Sequence, residues 1–172
     1  GADNSGQLGD GMMQPATVSG KPPVLASISG VTSVVVGYDH TCALTATNVQ
    51  CWGANYDGQL GNGSGTSSLA PVAVTGIAAP TALAGKFQHT CAISGGVLYC
   101  WGWNGYGQIG DGSTNQRNTP FSPTFPAAVT AVAPAENHTC ALLATGDVYC
   151  WGSNIAGELG QGDNTPRTTP TQ

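Results

Sequence analysis

Short apolar runs separated by small polar residues occur at three places along the chain, and each place predicts a β-hairpin. The paired runs read HTCAL and VQCWG from His40, HTCAI and VLYCWG from His89, and HTCAL and DVYCWG from His138. A few turn residues that include Asn or Gly separate the two runs, which is typical of a tight hairpin. No segment has the periodicity of an amphipathic helix, so the pattern predicts an all-β chain.

The hairpins recur at an almost constant interval. The opening histidine recurs every 49 residues, and a tryptophan near the hairpin end recurs after 49 and 50 residues. The chain opens with GADNSGQLGDG, which is a fourth copy of the segment that follows the tryptophan, without a hairpin sequence before it. A fixed period of this length indicates a repeat architecture. We therefore divide the chain into a partial repeat with its crossing (1–37) and three repeats at 38–85, 86–134 and 135–172, the last of them truncated.

The six cysteines are distributed in pairs, with one cysteine on each run of a hairpin. The second pair lies symmetrically about Gly95 and Gly96, which places its members opposite each other on adjacent antiparallel strands and within disulfide range. Six reduced, buried cysteines are the alternative, whereas a spacing of nine residues disfavours a short zinc knuckle. The pattern predicts three disulfides within hairpins: Cys42–Cys51, Cys91–Cys100 and Cys140–Cys150.

A glycine-rich loop follows each hairpin. The large apolar residue that stands among its glycines (Leu60, Ile109 or Leu159) predicts an anchor into the core, and the glycines supply positive φ angles. The Asp, Asn and Gly content also suggests calcium, but no loop has the EF-hand or GGxGxD spacing, so turn formation is favoured. Beyond the second loop, the proline-rich segment 113–128 predicts an exposed arm that does not pair in a sheet.

Together these motifs resemble a known repeat family. HTCAL, then VYCWG, then N-x-x-GQLG-x-G, on a period near 50 residues, resembles the regulator of chromosome condensation repeat, especially the cysteine-bearing form of secreted proteins. The resemblance covers nearly the whole chain. It implies a β-propeller of four-stranded blades around a central channel, usually with seven blades, of which this chain would supply three complete blades and partial ones.

Charge and cysteine content limit the partners and the compartment. The net charge is −5, and the only Lys and Arg residues are Lys21, Lys86, Arg117 and Arg167, too few and too scattered for binding to nucleic acid. No apolar run is long enough to span a membrane. Paired cysteines indicate an oxidising, extracellular or periplasmic compartment. Asn62 and Asn137 lie in glycosylation sequons, and Asn62 is the better acceptor because Asn137 adjoins a predicted strand.

The candidate site residues are of two kinds. Three residues lie in the variable part of the glycine loops, where exposed aromatic side chains are typical binding anchors: Tyr56, Trp103 and Tyr106. The residues that repeat in register are assigned to the repeat core: Trp52, Trp101, Trp151, His40, His89 and His138. Equivalent histidines on different blades do not converge on one metal, and no catalytic constellation is evident, so we predict no catalytic residue, metal or cofactor.

These observations favour a non-enzymatic extracellular module that binds a protein or a cell surface. A structural subunit that associates through its blade edges is an alternative, and a secreted enzyme inhibitor is another, the latter implied by the resemblance. Three blades do not close a propeller. We therefore expect the outer blade faces to be covered by further propeller repeats, from the same chain or from another copy.

Overall fold

The computed structural model describes residues 3–13 and 26–172, and the strands below are those of the described residues. Residues 1, 2 and 14–25 of the predicted partial repeat lie outside this description. The strands are β1 Val31–Val36, β2 His40–Thr45, β3 Val49–Gly53, β4 Ser68–Ala73, β5 Ala82–Lys86, β6 His89–Ser94, β7 Val97–Gly102, β8 Arg117–Phe121, β9 Val129–Pro134, β10 His138–Leu143, β11 Val148–Gly152 and β12 Arg167–Thr171. The all-β prediction is confirmed.

The strands form three four-stranded antiparallel sheets, each a meander of consecutive strands. We call them blade one (β1–β4), blade two (β5–β8) and blade three (β9–β12). The first strands of successive blades contact one another, so they form the inner edge of the stack. The fold is therefore a run of propeller blades.

The second and third strands of each blade are the predicted hairpins. Their register places the two cysteines of each hairpin directly opposite each other. The structure contains three disulfides with Cα atoms 4.1 Å apart: Cys42–Cys51, Cys91–Cys100 and Cys140–Cys150.

The expectation that the proline-rich segment 113–128 does not pair in a sheet is wrong for the outermost strand of blade two. Residues 117–121 of that segment form β8, which pairs with β7, although Pro120 lies within the strand. Pro71 and Pro170 lie in β4 and β12. All three strands are at sheet edges, where a proline removes no bond from a second neighbour, and the register shifts along each pairing.

The apolar core lies between the blades. One buried cluster joins blades one and two and contains Leu44, Val49, Leu60 and Trp101. A second cluster joins blades two and three and contains Ile93, Leu98, Ile109 and Trp151. The cores therefore fill the joints between sheets, as expected for repeats that cannot bury an apolar face alone.

Candidate binding face

Each joint between blades contains a tryptophan that donates a hydrogen bond to the preceding glycine loop. Trp101 of blade two donates through Nε1 to the Gln59 carbonyl at 3.0 Å, and Trp151 of blade three donates to the Gln108 carbonyl at 2.8 Å. Trp52 of blade one donates in the same way to Gln7, in the segment 3–13 that we call the leading loop. These indoles are buried. Each loop therefore accepts a hydrogen bond from the tryptophan of the blade that follows it.

A histidine and a threonine complete the joint between blades one and two and the joint between blades two and three. His40 Nε2 lies 2.8 Å from Thr90 Oγ1, and His89 Nε2 lies 3.0 Å from Thr139 Oγ1. Because Thr139 donates its hydroxyl proton to the Gln108 carbonyl, it must accept from His89, which fixes the proton of that ring on Nε2. His138 is half-buried. The buried rings are fixed in the joints between blades.

Burial disfavours the charged form of the joint histidines. It lowers the pKa of His40 to about 4. Burial also lowers the pKa of His89 to about 3, with further contributions from His40 and His138. The Nδ1 atoms of His40 and His89 have no hydrogen-bond partner among the described residues. Both rings are therefore neutral at physiological pH.

A buried asparagine organises each glycine loop. Asn104 accepts from the Ile109 backbone through Oδ1 and donates through Nδ2 to the Ser113 and Asn115 carbonyls and to Asp111. Asn55 and Asn154 do the same in blades one and three, with small changes of partner. One side chain thus forms hydrogen bonds with both halves of the loop, which fixes the conformation of the loop.

An ion pair fixes the far end of the blade-two loop. The Asp111 carboxylate accepts from Arg117 and from the Ser113 backbone and hydroxyl. Burial raises the pKa of Asp111, but hydrogen bonds from the Ser113 backbone and then from Arg117 outweigh it, so the net pKa is lowered. This carboxylate is charged and structural.

One edge of the blade stack carries both the glycine loops and the inner turns. Because the strands alternate in direction, the turn between the first two strands of a blade and the loop between its last two lie at the same edge. The inner turns are residues 37–39, 87–88 and 135–137, and the glycine loops are residues 54–67, 103–116 and 153–166. We call this edge the loop face.

The inner turns of the three blades together form a pocket of about 300 Å³. Tyr38 is 69% exposed, and its ring centroid lies 5.5 Å from that of Phe87. Lys86 and Glu136 add one charge of each sign, and Val36 adds apolar surface. An aromatic pair with one exposed ring, beside charges of both signs, is suited to recognising another molecule.

The pocket contains a strained residue. Phe87 has a φ of 54°, although it is not glycine. Its carbonyl accepts a 2.7 Å hydrogen bond from the Tyr38 backbone, which links two blades. A left-handed backbone costs roughly 1–2 kcal/mol at such a residue, and strain of this kind is concentrated at functional sites.

Sequence reasoning did not identify this pocket. Tyr38, Phe87 and Glu136 occupy one position, two residues before the repeat histidine, and they differ in chemical type. This variation within an otherwise regular repeat was the available signal. The structure brings together residues that lie 49 positions apart in the chain.

The three aromatic residues predicted to bind also lie in glycine loops of the loop face. Tyr56 is 71% exposed, Tyr106 is less exposed, and Trp103 is half-buried. The Trp103 ring lies over Gly105, where an added Cβ would meet it at 2.3 Å. None of the three lines the inner-turn pocket, so they form a separate, outer part of the face.

The two sequons lie at different places on this face. Asn62 is half-buried, and its Oδ1 accepts from the Ser64 backbone and hydroxyl, which are part of the sequon. Asn137 lies in an inner turn, where its carbonyl accepts from Ser153. Glycosylation at either residue remains a prediction.

The geometry defines a class of protein, a β-propeller segment built from repeats. The sequence pattern of the regulator of chromosome condensation (RCC1) repeat matches residues 48–93 and 95–142, and a second pattern of the same repeat matches 31–59 and 136–158. The chain belongs to this repeat family.

Solved structures show the same fold. Human WBSCR16 is 27% identical with a TM-score of 0.78, over 97% of this chain and 44% of that one. Yeast RCC1 (Prp20) bound to Kap60 is 21% identical with a TM-score of 0.85, over 99% and 43%. Prp20p from Saccharomyces cerevisiae, studied for binding to Gsp1p and histones, is 21% identical with a TM-score of 0.75, over 84% and 38%. The chain thus spans about two fifths of each of these structures.

A search among curated proteins finds no match. Among the described residues there is no helix long and apolar enough to cross a membrane.

Proposed function

We propose that the chain is a secreted, non-enzymatic module that binds a protein partner through its loop face. The observation that carries the proposal is the inner-turn pocket, in which the rings of Tyr38 and Phe87 contact each other and Lys86 and Glu136 also line the wall. An anchor residue of a partner can bury an apolar body against the rings while its polar groups meet either charge. The exposed Tyr56 and Tyr106 extend the same face outwards.

Three further observations support this function. The three disulfides suit an oxidising, extracellular compartment. The buried histidines are engaged in the joints between blades, so they are poorly placed for general acid or base chemistry. Prp20p, which shares the fold, has been studied for binding to Gsp1p and histones, so this fold can present a surface that binds proteins.

Selection of displayed peptides on the immobilised protein tests the proposal. Peptides enriched on the native chain should lose most of their binding to Tyr38→Ser, because the exposed half of the aromatic pair is removed. Val97→Ser is the matched control, since Val97 is an exposed apolar residue at the opposite edge of blade two. Equal binding to the native chain and to Tyr38→Ser would contradict the proposed pocket.

A second candidate function, association through a blade face, is favoured by the surface of blade three. Leu142 and Val148 are 39% and 52% exposed, whereas the residues at the same register in blades one and two are buried. A shallow apolar cavity lies over the same strands. Clustered exposed apolar surface of this kind marks a site of interaction.

A further inference from the structure

The two edges of the blade stack differ in charge. Among the residues that the structure describes, the edge opposite the loop face carries one charged side chain, Asp147; this edge comprises residues 46–48, 74–81, 95–96, 122–128 and 144–147. The loop face carries six acidic residues: Asp39, Asp57, Asp111, Glu136, Glu158 and Asp163. The negative charge of the blades is therefore concentrated on the face that we propose binds the partner.

Ion pairs neutralise only part of this charge. Asp111 pairs with Arg117, and Asp163 pairs with Arg167. Lys86, at the end of β5, forms no ion pair with any of the described residues. Four carboxylates and one ammonium group of this face are thus left without an ion-pair partner in the described part of the chain: Asp39, Asp57, Glu136, Glu158 and Lys86. The field in front of the face is negative.

The inner-turn pocket lies within this negative face. Glu136 and Lys86 both line the pocket and are exposed, so the pocket wall alone could meet a group of either sign. Asp39 follows Tyr38 directly in the chain, well within the screening length of about 8 Å at physiological ionic strength. With two carboxylates against one ammonium group, a cation is favoured.

The apolar surface of the same face narrows the choice of cation. The side chains of Tyr38, Tyr56 and Ile155 are each about 70% exposed. A small hydrated ion gains nothing from such surface. The guanidinium of arginine is planar and weakly hydrated, so it stacks on aromatic rings, and its alkyl stem packs on apolar side chains. It also donates two parallel hydrogen bonds to a carboxylate.

We infer that the partner of the loop face presents a basic segment, one arginine of which enters the inner-turn pocket. Its guanidinium stacks on the Tyr38 ring and donates to the Glu136 carboxylate, while its alkyl stem packs against Val36. The inference rests on the proposed function, because it specifies the chemistry of the partner that the loop face binds. An acidic segment would meet Asp39 and Glu136 as like charges, which disfavours binding.

The test determines the sequences of the peptides that a random displayed library enriches on the immobilised chain. We expect them to carry a net positive charge and a shared arginine. Replacing that arginine by citrulline, its neutral isostere, in a synthetic copy of the tightest binder should weaken binding about fivefold to tenfold, because both the ion pair and the cation–π contact are lost. Binding of the arginine peptide should also weaken as salt is added.

Variants of the protein test the sign of the charge that the pocket binds. Glu136→Gln should weaken binding of the arginine peptide about twofold to fivefold, as expected for one exposed charge pair, and Lys86→Gln should strengthen it by a similar factor. Asp147→Asn is the matched control, since it removes the same charge from the opposite edge, and it should leave the affinity unchanged.

Two outcomes would overturn the inference and are distinguishable from each other. Enriched peptides that are neutral or acidic, or that bind Glu136→Gln more tightly than the native chain, would exclude the basic segment. If their binding were still lost in Tyr38→Ser, the proposed function would stand. If no enriched peptide depended on Tyr38, the proposed pocket and the inference would both fail.

Discussion

At the scale of the single residue, the two tryptophans of the second repeat have opposite roles. Trp101 is fully buried and donates to Gln59 of the preceding loop. Trp103, two positions later, is half-buried on the loop face. Sequence periodicity already separated them, because only Trp101 recurs in register. Their substitution gives a direct comparison of core and surface.

Trp101→Ala should lower the free energy of unfolding by about 3–5 kcal/mol, the range for a buried tryptophan. Trp103→Ala should lower it by much less, because part of its ring is already solvated. Urea denaturation of the two variants measures both values. Equal losses would show that Trp101 does not hold the joint.

The buried histidines predict a loss of stability in acid. The unfolded chain takes up protons at these residues near pH 6.5, whereas folding lowers the pKa of His40 to about 4 and that of His89 to about 3. Between these values the unfolded state binds more protons, so stability falls with decreasing pH by about 1.4 kcal/mol per unit for each histidine.

Urea denaturation at a series of pH values between about 7 and about 5 tests this slope. His40→Gln should make it shallower, because one of the two depressed groups is gone, while His138→Gln serves as the half-buried control. An unchanged slope in His40→Gln would assign the acid sensitivity to other groups.

At the scale of the element, the glycine loops are shaped by their contacts with the next blade. Gly110 has a φ of 85°, and a Cβ added there would lie 2.8 Å from Trp151 Nε1. Gly112 has a φ of 81°, but its nearest neighbour would be 3.8 Å away. Both positions require a left-handed backbone, and they differ only in the space available for a side chain.

Gly110→Ala should therefore destabilise the protein more than Gly112→Ala. Both variants incur the cost of a left-handed alanine, about 1–2 kcal/mol, and Gly110→Ala adds about 1–3 kcal/mol of overpacking against the indole. Thermal unfolding of the pair provides the measurement. Similar midpoints would mean that backbone conformation alone requires these glycines.

The elements differ in how far the sequence predicts them. The hairpins were predictable because apolar runs, turn residues and paired cysteines all indicate the same register. The edge strand β12 was not, since its sequence RTTPT has no apolar alternation and contains a proline. The inner-turn pocket was missed because it arises only when turns from different repeats meet, and no single turn carries the signal.

At the scale of the whole molecule, the apolar face of blade three predicts association. At millimolar concentration the native chain should sediment faster than a monomer, because association buries Leu142 and Val148. Leu142→Glu should restore monomer sedimentation by placing a charge in that face. Val97→Glu, at the exposed start of β7 in blade two, should have no effect on sedimentation. A native chain that stays monomeric would contradict the candidate association.

The two sides of each joint between blades are chemically different, and this restricts the symmetry of any assembly that forms through such a joint. The earlier blade contributes a glutamine carbonyl and a histidine, and the later blade contributes an indole N–H and a threonine hydroxyl. Two copies of the same face cannot pair in this way, since each would bring the same groups, so a two-fold axis through such a joint is ruled out. Growth through these joints is head to tail, and the rotation from one blade to the next determines whether the result is a closed wheel or an open helix.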